Sequence, residues 1–128
     1  MQFLRVVVLA VAVAVGLTAQ SEAQDRIPGG GETVSTGSGI PVVVYGQRSK
    51  CHKNTAPTFA AIVASDKAIS QQPAHGALSD GGTGERMSRS CNKTVPVRVV
   101  IYTPDANFTG EDSVVFWGTD IITIVVSD

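Results

Sequence analysis

The stretch IYTPDANFTGEDSVVF, Ile101 to Phe116, decides the fold. A run of β-formers enters a Pro-Asp-Ala-Asn turn, Phe-Thr-Gly follows, and β-formers resume. Tyr102 closes the first strand, and Pro104 to Asn107 turn the chain. Phe108 is expected to drop back under that turn as an apolar plug. Gly110 admits a backbone conformation that a side chain forbids. Asp112 is placed to accept hydrogen bonds from turn amides before the next strand begins. Val114 and Phe116 then share one face, with Val115 and Trp117 on the other.

The segments around this stretch repeat the same grammar. Thr94 to Tyr102, TVPVRVVIY, alternates: Val95, Val97, Val99 and Ile101 are expected on one face and Pro96, Arg98 and Val100 on the other. Pro96 cannot donate to a ladder, which puts that end at a sheet edge or bulge. Asp112 to Trp117 and Asp120 to Val126 read as the last two strands, joined at Gly118-Thr119 by a hairpin. Ile40 to Tyr45 is β-branched and aromatic, and Gly46 ends it. Thr58 to Ala64 is apolar and short, with no second helical turn of apolar residues, so it reads as a strand. The alternative is a helical turn capped by Asn54 or Thr55. Ser79 to Lys93 is a loop by composition, with room for a short strand near Met87. Pro28 to Pro41 is rich in glycine and polar residues and reads as flexible, with a short edge strand over Glu32 to Ser35 as the other option. The chain after its first segment carries no helical pattern of ten residues or more. Short strands with turn signals between them indicate an all-β antiparallel sandwich or small barrel.

The pattern Tyr102-x-Pro104-x-x-x-Phe108-x-Gly110-x-Asp112 resembles the bacterial immunoglobulin-like and cadherin-like domains. The resemblance extends upstream to ISQQPAHGAL, at Pro73, His75, Gly76 and Leu78, and covers about Lys67 to Asp128. It implies an immunoglobulin-like antiparallel β-sandwich of about seven strands, with those residues as its structural motif. It also implies a role in envelope or adhesion proteins, where such domains recur in tandem. This chain departs from the pattern in having one domain and a cysteine pair. The closely spaced acidic clusters of true cadherins are absent, and Asp112 alone cannot satisfy a cation that takes six to eight oxygens. Calcium binding is therefore not carried over.

The ends bound the class. Arg5 precedes an apolar run from Val6 to Leu17, and Ser21-Glu22-Ala23 offers small residues at a cleavage site, the layout of a cleavable signal peptide over residues 1–23. The apolar run is too short for a membrane anchor, which needs about 20 residues, so no membrane span is expected after cleavage. Residues 24–39 then form a flexible glycine-rich segment and 40–128 the sandwich domain. Removing Arg5 and Glu22 takes one charge of each sign from 10 basic and 11 acidic residues, so the net charge stays −1. That balance argues against a nucleic-acid partner. Arg48, Lys50 and Lys53 surround one cysteine and Arg86, Arg89 and Lys93 the other; they read as solvated loop charges. In an exported chain Cys51 and Cys91 are expected to form a disulfide, closing a loop of about 40 residues and contributing about 4 kcal/mol.

Catalytic signals are weak. Gly37-Ser38-Gly39 is not a nucleophile elbow. Gly81-Gly82-Thr83-Gly84 lacks the lysine and hydroxyl of a phosphate loop. His52 and His75 stand beside no recognisable nucleophile. Asn92-Lys-Thr94 and Asn107-Phe-Thr109 read as ordinary turn residues. The sequence thus leads to a non-catalytic, cofactor-free interaction or structural module, exported to the periplasm or exterior, with a protein, envelope or carbohydrate partner. The alternative is a copper- or zinc-binding or redox protein that uses Cys51, His52, His75, Met87 and Cys91.

Overall fold

A computed structural model describes residues 31–128. The expected signal peptide, residues 1–23, lies outside the described residues, as do residues 24–30. Seven strands and one short helix follow in the order β1 (Glu32–Gly37), β2 (Val42–Arg48), α1 (Phe59–Ala64), β3 (Ile69–Gln71), β4 (Gly76–Ser88), β5 (Lys93–Pro104), β6 (Gly110–Phe116) and β7 (Asp120–Ser127). They form two sheets, β1-β7-β6-β3 and β2-β5-β4. Only β1 runs parallel to its neighbour, β7; the other pairs are antiparallel. The chain is an all-β sandwich of two sheets, with the first strand laid beside the last.

The core follows from period-two burial. On β6, Asp112, Val114 and Phe116 are buried, and on β7 so are Ile122, Ile124 and Val126. Val44, Tyr45, Val100 and Tyr102 meet them from the other sheet. Tyr45 stacks on Phe116 with ring centroids 4.0 Å apart, bringing aromatic packing to the middle of the sandwich.

Five sequence expectations change. First, Thr58 to Ala64 is not a strand. Phe59–Ala64 is helical, and neither Asn54 nor Thr55 but Thr58 is its cap, its hydroxyl oxygen accepting from Ala61 N at 3.2 Å. Ile62 is the fully buried residue of this helix, and Phe59, partly buried, packs against the core beside it. Second, Ser79 to Lys93 is mostly strand: β4 runs for 13 residues. Gly81 and Gly82 sit where β4 bulges between Asp80 and Thr83. A Cβ on Gly81 would stand 2.8 Å from Val99, and Gly82 has φ of 86°, so glycine here shapes the bulge instead of ending the strand.

Third, burial along β5 changes parity. Val95 and Val97 are buried below, Val100, Tyr102 and Pro104 above, with Val99 and Ile101 only half-buried. Both neighbours of β5 bulge at that level, β2 between Val43 and Tyr45 and β4 between Asp80 and Thr83. Paired bulges bend and coil the sheet there. Fourth, Pro96 lies in the central strand of its sheet, not at an edge. Its carbonyl accepts from Ser49 N at 3.1 Å, just past the last β2 pair, Arg48 with Val97. An antiparallel residue points its N and its carbonyl the same way, so the missing donor faces the point where the β2 ladder has ended. Fifth, within the segment expected to be flexible, Glu32–Gly37 forms β1, an edge strand as the other option over Glu32 to Ser35 had it.

The helix is testable through its buried anchor. Ile62→Ala is expected to cost about 2–5 kcal/mol in chemical denaturation, while Val63→Ala, on the exposed side, is expected to change stability by under about 0.5 kcal/mol. Equal losses at both positions would contradict the observed packing.

Candidate functional site

Two constellations lie at opposite ends of the sandwich. The first gathers the motif residues. The Tyr102 hydroxyl donates to Oδ2 of Asp112 at 2.8 Å, and Ala74 N and His75 N each donate to that carboxylate at 2.9 Å. Ser113 N adds a fourth donor at 2.9 Å. Asp112 is 7% exposed. The amides that satisfy it come from the β3–β4 turn and from Ser113, not from the Pro104–Asn107 turn expected to supply them. Asp105 N donates to His75 O at 2.9 Å and so ties that second turn to the first.

Burial alone would raise the Asp112 carboxyl, but the Tyr102 hydroxyl and the amides of Ala74, His75 and Ser113 hold it below the usual carboxylate range. Burial, and then the adjacent carboxylate, push the Tyr102 hydroxyl well above the usual phenol range. Four donors take up the carboxylate's lone pairs, so this pair is built to hold rather than to exchange protons.

Gly76 lies under the Tyr102 ring. A Cβ there would run into that ring and stand 2.7 Å from the Thr103 carbonyl oxygen. Phe108 is half-buried and packs against the core, and it stacks on His75 with centroids 4.3 Å apart. Gly110, at φ of 129°, sits 3.6 Å from the Phe108 ring by its ideal Cβ position. Pro73 and Pro104 bracket this corner in sequence, and Pro104 pairs with Gly76.

The second constellation is built by the disulfide. Cys51 and Cys91 are bonded, with Cα atoms 5.4 Å apart. The bond fastens the β2–α1 connection to the turn between β4 and β5. Beside it opens a cleft of about 450 Å³. The end of β2 lines it with Tyr45, Gln47 and Arg48, the loop after it with Lys50, the end of β4 and the turn beyond with Ser88 and Ser90, and the start of β7 with Asp120. Arg48 Nη1 donates to Ser88 Oγ at 3.2 Å, and that hydroxyl also receives Cys91 N at 3.2 Å. Gln47 Oε1 is buried with no hydrogen-bond partner.

Trp117 stands next to this cleft. Its indole N–H donates to the Tyr45 hydroxyl at 3.2 Å. The sequence reads Trp117 as the last residue of the strand from Asp112. It instead occupies the hairpin with φ of 55°, followed by Gly118 at 72°, and it is 45% exposed. Burial raises the Tyr45 hydroxyl, with the indole donor and Arg48 opposing and Asp120 assisting.

The five residues weighed as metal ligands do not converge. Both cysteines are in the disulfide. His75 precedes Gly76 at the start of β4 and Met87 lies at its far end, a strand spanning about 40 Å at its length. Met87 is 68% exposed, and His52 is exposed in the loop after Cys51. Among the described residues no group of three or more His, Cys, Asp or Glu is placed to hold a metal ion. No helix among them is long and apolar enough to cross a membrane. No family model, no curated protein and no solved structure matches this chain.

The Tyr102–Asp112 lock carries a pH signature. The folded carboxyl lies below its ordinary value of 3.8. It therefore adds stability that is fully present above that unfolded value and is lost as pH falls through the lower folded value. Asp112→Asn is expected to lower stability at pH 7 by about 2–3 kcal/mol and to flatten the acid limb of a stability-versus-pH curve. An acid limb identical to the parent's would show that another carboxylate governs it.

Proposed function

We propose that this chain is an exported, non-catalytic interaction module of the cell envelope or exterior, of the immunoglobulin-like or cadherin-like kind that its Tyr102 to Asp112 motif resembles. The observation that carries this reading is the disulfide-tied end. There the bond between Cys51 and Cys91 holds two polar loops together at the tip of a packed sandwich. Loops fixed on a rigid scaffold are where binding function concentrates. A disulfide belongs to an oxidising compartment, which agrees with the signal-peptide layout of residues 1–23. The perturbed carboxylate, Asp112, is fully engaged in the opposite corner, where it supports the fold and not a reaction.

The test is the intact mass of the exported protein, alkylated before and after reduction, followed by retention on isolated envelope or extracellular-matrix material. The expected result is a chain beginning at Gln24, unlabelled until reduced, and retained in its oxidised form. Thiols that label at once, or a chain that stays inside the cell, would overturn the reading.

A further inference from the structure

Residues 31–128 hold eight lysines and arginines. Six of them, Arg48, Lys50, Lys53, Arg86, Arg89 and Lys93, lie within five residues of one of the two cysteines. Each set alone reads as solvated loop charge. The disulfide merges them into one basic end. The opposite end carries Asp105, Glu111 and Asp128, beside the strand ends Pro104, Gly110 and Ser127. In a chain of net charge −1, six cations therefore gather at the end where the cleft opens, against Glu32, Glu85 and Asp120 there.

Three features of that cleft specify more than a positive surface. Arg48 presents its guanidinium with one nitrogen held by the Ser88 hydroxyl, which leaves further donors of the fork for an anion. The other lining groups are Lys50, the hydroxyls of Tyr45, Ser49, Ser88 and Ser90, the disulfide and a single carboxylate, Asp120. Such a mixture suits a ligand with many hydroxyls, which both donate and accept. Trp117 adds an aromatic face beside them. A bulky residue at φ of 55° is held in a sparsely populated conformation that costs of order 1–3 kcal/mol, the kind of strain that collects at functional sites. Glycine or asparagine would meet the turn's needs more easily.

We infer that the disulfide end binds an acidic sugar unit, carboxylated or sulfated, of a polysaccharide. Arg48 and Lys50 receive its anionic oxygens, Asp120 and the serine hydroxyls accept from its hydroxyls, and the Trp117 ring lies against the sugar face. A concave, hydroxyl-lined site favours a sugar over a membrane surface or a nucleic-acid backbone, which a flat basic face serves as well. This inference rests on the interaction-module reading and names the partner's chemistry.

The experiment is a calorimetric titration of the exported, oxidised chain at low and physiological salt. The probes are uronate oligosaccharides, heparin-derived sulfated oligosaccharides, a neutral dextran of the same length, duplex DNA and anionic lipid vesicles. One acidic oligosaccharide is expected to bind, more weakly at higher salt, and dextran is expected not to. Arg48→Ala and Lys50→Ala are each expected to weaken binding about tenfold or more. Trp117→Asn is expected to weaken it comparably while leaving the melting temperature unchanged or higher, which separates lost binding from lost folding. Lys67→Ala, in the connection before β3, is expected to leave affinity unchanged. DNA or vesicles binding as well as the best oligosaccharide would overturn the inference, as would affinities indifferent to Arg48, Lys50 and Trp117. Retention on envelope material without binding to any acidic sugar defeats this inference and leaves the interaction-module reading standing; failure of both defeats both.

Discussion

The structure hangs on one buried carboxylate. Asp112 begins the inward-facing row of β6, and its donors come from β5 through Tyr102 and from the β3–β4 turn through Ala74 and His75. Those elements belong to both sheets. A buried carboxylate is costly unless its lone pairs are filled, so these parts must arrive together or not at all. The lock fixes how the sheets sit over each other, and period-two alternation then decides the rest of the core. Gly76 is required for the same reason: only a residue without a Cβ lets the turn approach the Tyr102 ring closely enough to aim two amides at one carboxylate.

Much of this was legible in the sequence. The strands flanking the Pro104–Asn107 turn carry their own periodicity, and the spacing of Tyr102, Phe108, Gly110 and Asp112 marks a corner before any partner is known. What spacing cannot supply is the partner across the fold. Asp112 was read against the nearest turn, because sequence proximity is the only proximity a sequence offers; two of its four donors, Ala74 N and His75 N, lie 38 and 37 residues away. Thr58 to Ala64 failed for a related reason. Six residues are too few for a period to declare itself, and a threonine cap with one buried isoleucine settled the outcome.

The glycine-rich stretch from Ser79 to Arg89 shows a different limit. Composition marks loops because glycine usually costs a strand entropy and packing. Here Gly81 and Gly82 do the reverse. They let β4 carry an extra residue beside β5, with the Asp80 carboxylate accepting Gly82 N at 2.8 Å and paired to Arg98. Arg98 in turn donates through Nε to the Pro57 carbonyl at 3.0 Å, so the bulge, the central strand and the α1 connection are fastened through one guanidinium. Local composition could not reveal that, because the compensation is supplied from β5.

The two ends of the sandwich divide the work. At the Asp112 end the polar groups answer one another, and little is left over for a ligand. At the disulfide end they do not: Gln47 Oε1 has no partner, Arg48 leans on a serine, and Trp117 holds a backbone conformation that suits smaller residues better. A fold selected for stability alone has no use for these features, since each has a cheaper substitute that leaves the hairpin and the disulfide intact. The candidate site was hidden for the same reason that it exists. Its two basic clusters lie about 40 residues apart in the chain, and each becomes more than solvated charge only when the bond between Cys51 and Cys91 brings it against the other.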